Sequence, residues 1–333
     1  MGNKKHRQNT KKLLERLGTM KTDIIVLNYN GVDLIPECLP SIVASSKASV
    51  HDVNVVVIDN ESKDNSMKVL EGFTGDVEVI EHTNEVFCSF NDVVASRNSD
   101  IVILLNNDIR VEEDFIDPLV EVFKNEPDAF LVGPKVLTFD GERYEGTLAK
   151  WWIDKGVFKS SSRFPGYESL IDSPNYTAQA GFGAFRRDRF LELGGYDDLY
   201  LPGIMEDADL CYRAWKKGYK GYYQPKSRMY HKAQSAFSAK FGRYGILKMS
   251  HRNTYLFMWK NITDIGILSN SILYLLPRIL FALVRGKFEI PLGFFSALGR
   301  LPRALAKRSG QKSGTVLSDR EVIDMFKNIG EEA

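Results

Sequence analysis

From Asp23 onward the chain alternates between short apolar runs and segments whose apolar residues recur at helical spacing. Continuous apolar runs are typical of strands that are covered on both faces of a parallel sheet, because both faces then need apolar side chains. The pattern predicts an α/β domain with a Rossmann-like, mostly parallel central sheet flanked by helices. The predicted strands are IIVLNYN (24–30), VNVVVIDN (53–60), VEVIEH (77–82) and DIVILLNND (100–108), and the predicted helices cover 34–45, 66–73 and 90–99.

Three of these strands end on polar side chains: Asn28-Tyr29-Asn30, Asp59-Asn60 and Asn106-Asn107-Asp108. Ligands of parallel sheets sit outside the carboxyl ends of the strands, so we expect the three ends to converge on one site. A turn with helix-capping residues would also explain the composition of 106–108. A metal site at the strand end is the competing interpretation.

The rest of the chain is less regular. Residues 140–176 are rich in Ser, Gly, Pro and aromatic residues and are predicted to form loops and short strands. The segment 180–200 predicts a strand, then a short helix that stops at Gly194-Gly195. Glu206, Asp207 and Asp209 fall in the first turn of a predicted helix. The apolar face of that helix comprises Leu210, Cys211, Ala214 and Trp215, and Gly218 is its predicted C-cap.

The composition shifts after residue 262. The stretch 267–288 is strongly apolar but contains Asn270, Pro277 and Arg278, which argue against a clean span of about 20 apolar residues. Basic residues follow, and they favour amphipathic helices that lie in the membrane interface with anionic headgroups nearby. Packing against the preceding domain or another subunit is one alternative, and a true transmembrane span is the other.

The bulk charge and the cysteines narrow the functional class. The formal net charge is +1, and the basic residues cluster at the two ends, which disfavours a nucleic-acid binder. Residues 1–21 form a basic arm whose only acidic residue is Glu15. The three cysteines are too scattered for a disulfide framework, and the N-terminus lacks the apolar core of a signal peptide. We therefore expect a cytoplasmic protein.

Seven segments occur in order along the chain: VLNYNG (26–31), VVVIDNESKDNS (55–66), ILLNNDIRV (103–111), GPKVL (133–137), LGGYDDLY (193–200), EDADLCYR (206–213) and GYKGYYQP (218–225). Together they resemble family 2 glycosyltransferases, which are inverting enzymes of the GT-A fold. The resemblance covers about residues 22–262, and the Asn-Asn-Asp variant, the EDADL segment and the basic tail look like the rhamnosyltransferase-like members. It implies a glycosyltransferase domain over 22–262. The composition after residue 262 adds a helical extension over 263–333, which we expect to be membrane-associated.

The resemblance implies a divalent cation, Mg²⁺ or Mn²⁺, that neutralises the diphosphate of the donor. Asp108 matches a metal ligand of the family, and His231 matches a histidine that completes the metal site; a satisfied core histidine is the alternative for His231. Asn106 stands where relatives usually have a first aspartate. With only one carboxylate and one imidazole, we expect weak metal binding without the donor.

An inverting transfer also needs a general base for the acceptor hydroxyl. We expect Asp207 to be that base, with Glu206 orienting it or touching a sugar. Its position at a helix N-terminus predicts a lowered pKa. The alternative is that two adjacent carboxylates at a helix start serve only to stabilise the helix through its dipole, by about 0.3–1 kcal/mol.

The resemblance also implies a nucleotide pocket. Asp59 matches the family position that contacts the base or ribose, although a loop-capping aspartate is the alternative. Trp151, Trp152 and Tyr176 could stack on an acceptor sugar or could pack a lobe. The expected nucleotide-binding residues are Asn28, Tyr29, Asn30, Asp59, Asn84, Asn91, Asn106 and Asn107.

The expected partners follow from this interpretation. The donor would be dTDP-rhamnose or a UDP-sugar. The acceptor would be a saccharide, linked to a lipid, in the synthesis of a cell-surface polysaccharide. The enzyme would act at the inner face of the cell membrane. A homo-oligomer is possible. A nucleotidyltransferase is disfavoured because VLNYNGVDL (26–34) contains no Lys or Arg for a triphosphate. A catalytically inactive binding subunit is the alternative of another class.

Overall fold

A computed structural model describes residues 18–232, 236–309, 314–327 and 329. The basic arm predicted over 1–21 therefore lies mostly outside the described residues. The strands are β1 (Lys21–Asn28), β2 (Asp52–Asp59), β3 (Glu78–Glu81), β4 (Ile101–Asn106), β5 (Ile109–Val111), β6 (Ala129–Thr138), β7 (Tyr144–Gly146), β8 (Lys150–Asp154), β9 (Val157–Ser161), β10 (Asn175–Tyr176), β11 (Gly183–Arg186) and β12 (Lys220–His231). The helices are α1 (Ile35–Ala48), α2 (Ser66–Leu70), α3 (Ser89–Ser96), α4 (Ile116–Asn125), α5 (Arg187–Glu192), α6 (Glu206–Lys216), α7 (Ala236–Asn261), α8 (Ile265–Leu273), α9 (Leu275–Val284), α10 (Glu289–Leu298), α11 (Leu301–Ser309) and α12 (Asp319–Asp324).

The described strands form one large sheet with the order β10-β12-β6-β11-β4-β1-β2-β3, and β8 and β9 form a separate hairpin. Strands β3, β2, β1 and β4 are parallel, as the apolar runs predicted. The strand β11 is antiparallel to both of its neighbours, β4 and β6. The mostly parallel sheet flanked by helices is the predicted fold class.

Successive residues of β1 point to opposite faces of the sheet, so each face has its own core. Ile24 packs in a cluster with residues of α1 and α4. Ile25 packs in a second cluster with residues of α3, α5, α6 and α7. Both faces are thus covered, which explains why the strands read as continuous apolar runs.

The parallel register brings the predicted strand ends together. Asn28 pairs with Asp59, and Leu27 pairs with Asn106, at the carboxyl ends of β1, β2 and β4. The convergence predicted from the three polar strand ends is therefore confirmed. The edge of the sheet that they form carries the candidate site.

The chain from α10 onward packs against the domain that precedes it. Ala297, Ala304, Val322 and Phe326 are fully buried in the same cluster as Ile25. Helix α7 is kinked at Gly242, whose φ is +60°. This extension is therefore continuous with the core, which is the packing that the sequence left as an alternative to interfacial helices.

Candidate active site

Asn28, Asp59 and Asn107 form a buried chain of hydrogen bonds across three strand ends. The Asn28 amide donates to Asp59 Oδ1 at 2.8 Å, and Asn107 Nδ2 donates to Asn28 Oδ1 at 2.7 Å. Asp59 Oδ2 accepts the backbone N–H of Ser62 at 3.0 Å, so Asp59 also caps its loop. Asn28 has no exposed surface, so its side chain shapes the floor of the site without facing solvent.

Tyr29 and Asn30 lie on the open side of this floor. Tyr29 is exposed, and Asn30 Oδ1 accepts the backbone N–H of Lys63 at 2.7 Å. Asn30 has a φ of +51°, a conformation that asparagine tolerates better than most residues. Asn84 Oδ1 accepts the N–H of Val86, and the backbone N–H of Asn84 donates to Glu61. These loops form a rim around the ends of β1 and β2.

Asn91 lies away from this rim. Both polar atoms of its side chain bond the backbone of Tyr196, with the N–H of Tyr196 donating to Oδ1 at 2.8 Å and Nδ2 donating to the carbonyl at 2.9 Å. The structure therefore gives Asn91 a role in holding the 195–196 turn. The family resemblance had implied a place for Asn91 in the nucleotide pocket.

Asp108 and His231 meet beyond the end of β4. His231 Nε2 lies 3.4 Å from Asp108 Oδ2, and Nδ1 donates to Glu145 Oε2 at 2.9 Å. The ring of Phe182 packs against the imidazole with a centroid distance of 5.4 Å. Burial alone would lower the pKa of His231, but the hydrogen bonds and charges of Asp108 and Glu145 outweigh it and raise the pKa.

This pair suits part of a divalent cation's coordination shell. Asp108 is buried, and its Oδ1 has no hydrogen-bond partner among the described residues, which is costly unless a ligand satisfies it. Glu145 orients the imidazole in the way that outer carboxylates orient metal-binding histidines. Among the described residues no three His, Cys, Asp or Glu side chains are grouped to hold a metal by themselves. The donor set therefore fits a cation that takes its remaining ligands from elsewhere, such as a diphosphate.

Glu206 and Asp207 are the first two residues of α6. Gln179 Nε2 donates to Asp207 Oδ2 at 2.9 Å, and Gln179 Oε1 accepts the indole N–H of Trp151 at 2.7 Å. Glu206 Oε2 is buried without a hydrogen-bond partner among the described residues. Asp207 is thus held in place by a side chain that is itself anchored in the core.

The predicted lowering of the Asp207 pKa is wrong, because burial raises it. Hydrogen bonds from the backbone of Ala208 and from Gln179 act in the opposite direction but do not offset the burial. Burial, together with the nearby charge of Asp207, raises the pKa of Glu206 to about 8. Desolvation therefore exceeds the helix-dipole effect on which the sequence prediction relied.

One segment connects the carboxylates to the imidazole. Gln179 bonds Asp207, a Cβ on Gly181 would lie 3.7 Å from Asp207 Oδ2, and Phe182 packs on His231. This segment leads into β11, whose Gly183 pairs with Leu104 of β4, two residues before Asn106. The elements that carry Asp108, His231 and Asp207 therefore border one region at the end of β4.

Glu145 and Gln179 were missed by the sequence analysis. Neither lies in a strand-end pattern, and each reaches its partner across many residues of chain. The prominent aromatic residues behave differently from each other: Trp151 is fully buried in the core, whereas Tyr176 is exposed and packs on Tyr222. Trp151 therefore packs the lobe, which settles one of the two alternatives for that residue.

Comparison with known proteins assigns the family. The model for glycosyl transferase family 2 matches residues 23–194, which is more than half of the chain. The chain is 25% identical over 236 residues to the glucosyl-dolichyl phosphate glucuronosyltransferase of Haloferax volcanii, covering 64% of this chain and 69% of the relative.

Two solved glycosyltransferase structures share the fold. The structure of GalNAc-T7 with UDP, GalNAc and Mn²⁺ has a TM-score of 0.52 at 18% identity. The match covers 72% of this chain and 48% of that one, so this chain spans about half the length of GalNAc-T7. The mannosyltransferase PcManGT from Pyrobaculum calidifontis, in complex with GDP-Man and Mn²⁺, has a TM-score of 0.50 at 14% identity, covering 95% of this chain and 81% of that one. The chain therefore belongs to glycosyl transferase family 2, as a glycosyltransferase of the GT-A fold.

Proposed function

We propose that this enzyme is an inverting, metal-assisted glycosyltransferase whose acceptor is a lipid-linked saccharide at the cytoplasmic face of the membrane. The observation that carries the proposal is the segment 179–182, which contacts Asp207 on one side and His231 on the other. A cation site and a candidate base then border the same region, as the displacement of a diphosphate requires. The domain division at residues 21 and 262 belongs to the same proposal.

Asp108 and His231 would hold Mg²⁺ or Mn²⁺ together with the phosphates of the donor. The cation would supply charge neutralisation as the nucleoside diphosphate leaves. Glu145 would keep the Nε2 of His231 directed at the cation through its bond to Nδ1. The Mn²⁺ in both solved structures supports a divalent cation in this fold.

The nucleotide would lie over the ends of β1, β2 and β4. Asp59 is held by Asn28 and Ser62 and still has lone pairs for the base or ribose. Tyr29 and Asn30 would line the base, with Asn84 at the rim. Asn106 and Asn107 would face the ribose or a water near the cation. Asn28 would act by holding Asp59 and Asn107 in place, and Asn91 by holding the backbone of Tyr196.

Asp207 would take the proton from the acceptor hydroxyl as that oxygen attacks the anomeric carbon. The bond to the diphosphate breaks on the opposite face, which inverts the configuration. A raised pKa suits this role better than a lowered one, because a base is most effective when its pKa is near the working pH. Glu206, with its raised pKa, would keep its proton and donate a hydrogen bond to a sugar hydroxyl.

The donor proposal is dTDP-rhamnose first and a UDP-sugar second, from the likeness to rhamnosyltransferase-like members. The relatives widen the panel to test. The name of the Haloferax volcanii relative indicates glucuronosyl transfer to a glucosyl-dolichyl phosphate, and one solved structure holds GDP-Man. That relative's lipid-linked acceptor also supports a lipid-linked acceptor here.

Helices α8 and α9 support a membrane surface for such an acceptor. Over Ile265–Val284 the chain is apolar enough, by length and composition, to cross a membrane, and 6% of that stretch is buried. Ile272 and Val284 are 74% and 86% exposed. Pro277 and Arg278 interrupt the stretch, and the neighbouring Arg285 and Lys287 are exposed, which fits helices that lie in the interface of an anionic membrane.

Hydrolysis of nucleotide sugars tests this function without knowledge of the acceptor. The panel comprises dTDP-rhamnose, UDP-glucose, UDP-glucuronic acid and GDP-mannose, with Mn²⁺ or with a chelator. We expect hydrolysis of one donor, dependent on Mn²⁺ and reduced about 100-fold or more in Asp207→Asn, because general base catalysis contributes about 10²–10⁴-fold. Asp188→Asn, an exposed carboxylate in the first turn of α5, is the control. Hydrolysis that persists in Asp207→Asn at the control's rate would contradict the proposal.

A further inference from the structure

The loop that precedes the carboxylate pair has an unfavourable backbone. Ile204 and Met205 have φ values of +74° and +80°, although neither is glycine. The left-handed conformation is unfavourable for an ordinary L-residue, and more so for a β-branched one. Helix α6 begins at the next residue, Glu206, and its N-cap has no side-chain hydrogen bond. The position of both carboxylates therefore depends on what holds this loop.

Asn253 of α7 holds it through the backbone. Its Nδ2 donates to the carbonyl oxygens of Tyr200, Gly203 and Ile204 at 3.1, 2.8 and 2.7 Å. Asn253 is fully buried, and its Oδ1 accepts a hydrogen bond from Nε of Arg252 at 2.8 Å, which fixes the orientation of the amide. The two N–H groups of one buried side chain thus serve three carbonyls, with one N–H shared between two of them, and these carbonyls would otherwise be costly to bury.

Two arginines bond the same loop from the same side. Arg252 Nη2 donates to the carbonyl of Leu201 at 2.9 Å. Arg300, which lies between α10 and α11, donates to the carbonyls of Leu199 and Leu201 at 3.0 and 3.3 Å. Five carbonyls between residues 199 and 204 therefore accept hydrogen bonds from side chains of the C-terminal helices.

Helix α7 holds α6 a second time, further along. Lys260 Nζ donates to both carboxylate oxygens of Asp209 at 2.7 and 2.8 Å, and Asn261 Nδ2 donates to Oδ1 at 2.8 Å. Asp209 is fully buried and also accepts from Tyr200 and Arg213. The start of α6 is thus fixed between two contacts with one helix.

We infer that Asn253, supported by Arg252 and Arg300, is a positioning residue for sugar transfer, which sets Glu206 and Asp207 by holding the backbone of residues 199–204. This inference rests on the proposed function, since it gives the helices beyond the family-matched region a part in the reaction. Asn253 is fully buried, and the bonds of its side chain go to Arg252 and to the loop. Its effect reaches the reaction through the loop.

The test measures kcat and KM for hydrolysis of whichever panel donor the wild type uses. Asn253→Asp keeps the size of the side chain but replaces the donating amide with an acceptor that faces three carbonyls. We expect kcat to fall about 100-fold, since a misplacement of about 1 Å can cost that much. The donor KM should stay within about twofold, because the nucleotide rim lies on β1 and β2.

Leu256→Ala is the matched control. It removes a fully buried side chain from α7 and lowers stability without removing a hydrogen bond to the loop. If Asn253→Asp does not fold, Arg300→Ala carries the test, since Arg300 is only half-buried, and the expected result is a smaller loss of kcat at unchanged KM.

The outcomes separate the inference from the function. If Asn253→Asp and Leu256→Ala have equal kcat, the inference is overturned. If the Asn253 variant is unfolded, equal kcat in Arg300→Ala and wild type overturns it. In both cases a loss of hydrolysis in Asp207→Asn still upholds the proposed function. A rise in KM that accounts for the whole loss would also overturn the inference. Failure of Asp207→Asn to reduce hydrolysis would overturn the function itself.

Discussion

His231 faces Asp108 across 3.4 Å, with its other ring nitrogen bound to Glu145 at 2.9 Å. The backbone creates this pairing, because His231 ends β12 opposite Ile109 of β5, and the N–H of Lys232 donates to the carbonyl of Asp108 at 3.1 Å. The two side chains are therefore placed by a strand register and not by a flexible loop. Such a site can be tested without knowing the acceptor.

Glu145→Gln should weaken metal binding. Removal of the carboxylate charge lowers the basicity of the imidazole and loosens its orientation, and changes in such outer partners cost about 10–100-fold in affinity. The measurement is a Mn²⁺ titration of the thermal shift at a fixed nucleotide diphosphate concentration. Glu142→Gln, an exposed glutamate in the same hairpin, is the control. Superimposable titrations of the two variants would count against Glu145 as an orienting residue.

Glu206 should make the ligand-free protein less stable as the pH rises. Its pKa is raised from 4.5 to about 8 in the folded state, so between these values the unfolded state releases a proton that the folded state retains. The stability contributed by Glu206 is therefore present below about pH 4.5 and is lost as the pH rises towards 8.

Glu206→Gln should consequently flatten the fall in Tm between pH 5.5 and 8 by a measurable amount. The measurement is a series of thermal unfolding curves without nucleotide or metal. Glu121→Gln, an exposed glutamate of α4, should keep the wild-type slope. The same slope in both variants would mean that Glu206 ionises normally.

Negative charges placed on α8 and α9 should abolish binding to anionic vesicles, which is measured by co-sedimentation of the protein with the vesicles. Ile272 and Leu276 are 74% and 64% exposed, so Ile272→Glu/Leu276→Glu should change Tm little while opposing insertion of this face. Thr74→Glu/Thr83→Glu adds the same charge at exposed positions near β3 and serves as the control. Equal co-sedimentation of both variants would exclude these helices as the membrane surface. Truncation at residue 262 is a poorer test, because it removes buried residues such as Phe326.

Gly156→Ala should destabilise the fold by separating the β8–β9 hairpin from α8. A Cβ there would lie 2.2 Å from the backbone nitrogen of Ser271, and φ is +71°. Gly75→Ala is the matched control, with a φ of +93° and nothing within 4 Å of the added Cβ. Both substitutions place an alanine in the left-handed conformation, so that cost is common to the two variants. The additional loss of unfolding free energy in Gly156→Ala, about 1–3 kcal/mol for overpacking, therefore measures the clash. Equal losses would contradict the described packing of α8.

The sequence predicted the parallel part of the fold well because its signals are local. Strand β2 was predicted over 53–60 and forms over Asp52–Asp59, and the predicted helix 34–45 forms as Ile35–Ala48. The helix at Glu206 and its buried face, which includes Leu210 and Trp215, are also as predicted. Hydrophobic periodicity is sufficient for elements of this kind.

The parts of the site that the sequence did not reveal depend on long-range burial. Gln179 and Asn253 carry no motif, and each acts on the start of α6 from another element. The pKa of Asp207 was predicted with the wrong sign because a helix N-terminus is visible in a sequence, whereas desolvation is not. Asn28 was recognised as a polar residue at a strand end, and Asn91 was named from the family resemblance, but only the fold shows that their side chains bond other parts of the protein.

The most direct test of the account is a thermal-shift measurement of nucleotide diphosphates with and without Mn²⁺ on wild type and Asp108→Ala. Asp114→Ala, an exposed carboxylate a few residues further along, is the control. A ligand at 100 times its Kd that binds only the folded state adds about 2.7 kcal/mol to the unfolding free energy. The account predicts stabilisation by one nucleotide that requires Mn²⁺, is lost in Asp108→Ala and is kept in Asp114→Ala. Stabilisation that survives in Asp108→Ala, or that does not depend on the metal, would contradict it.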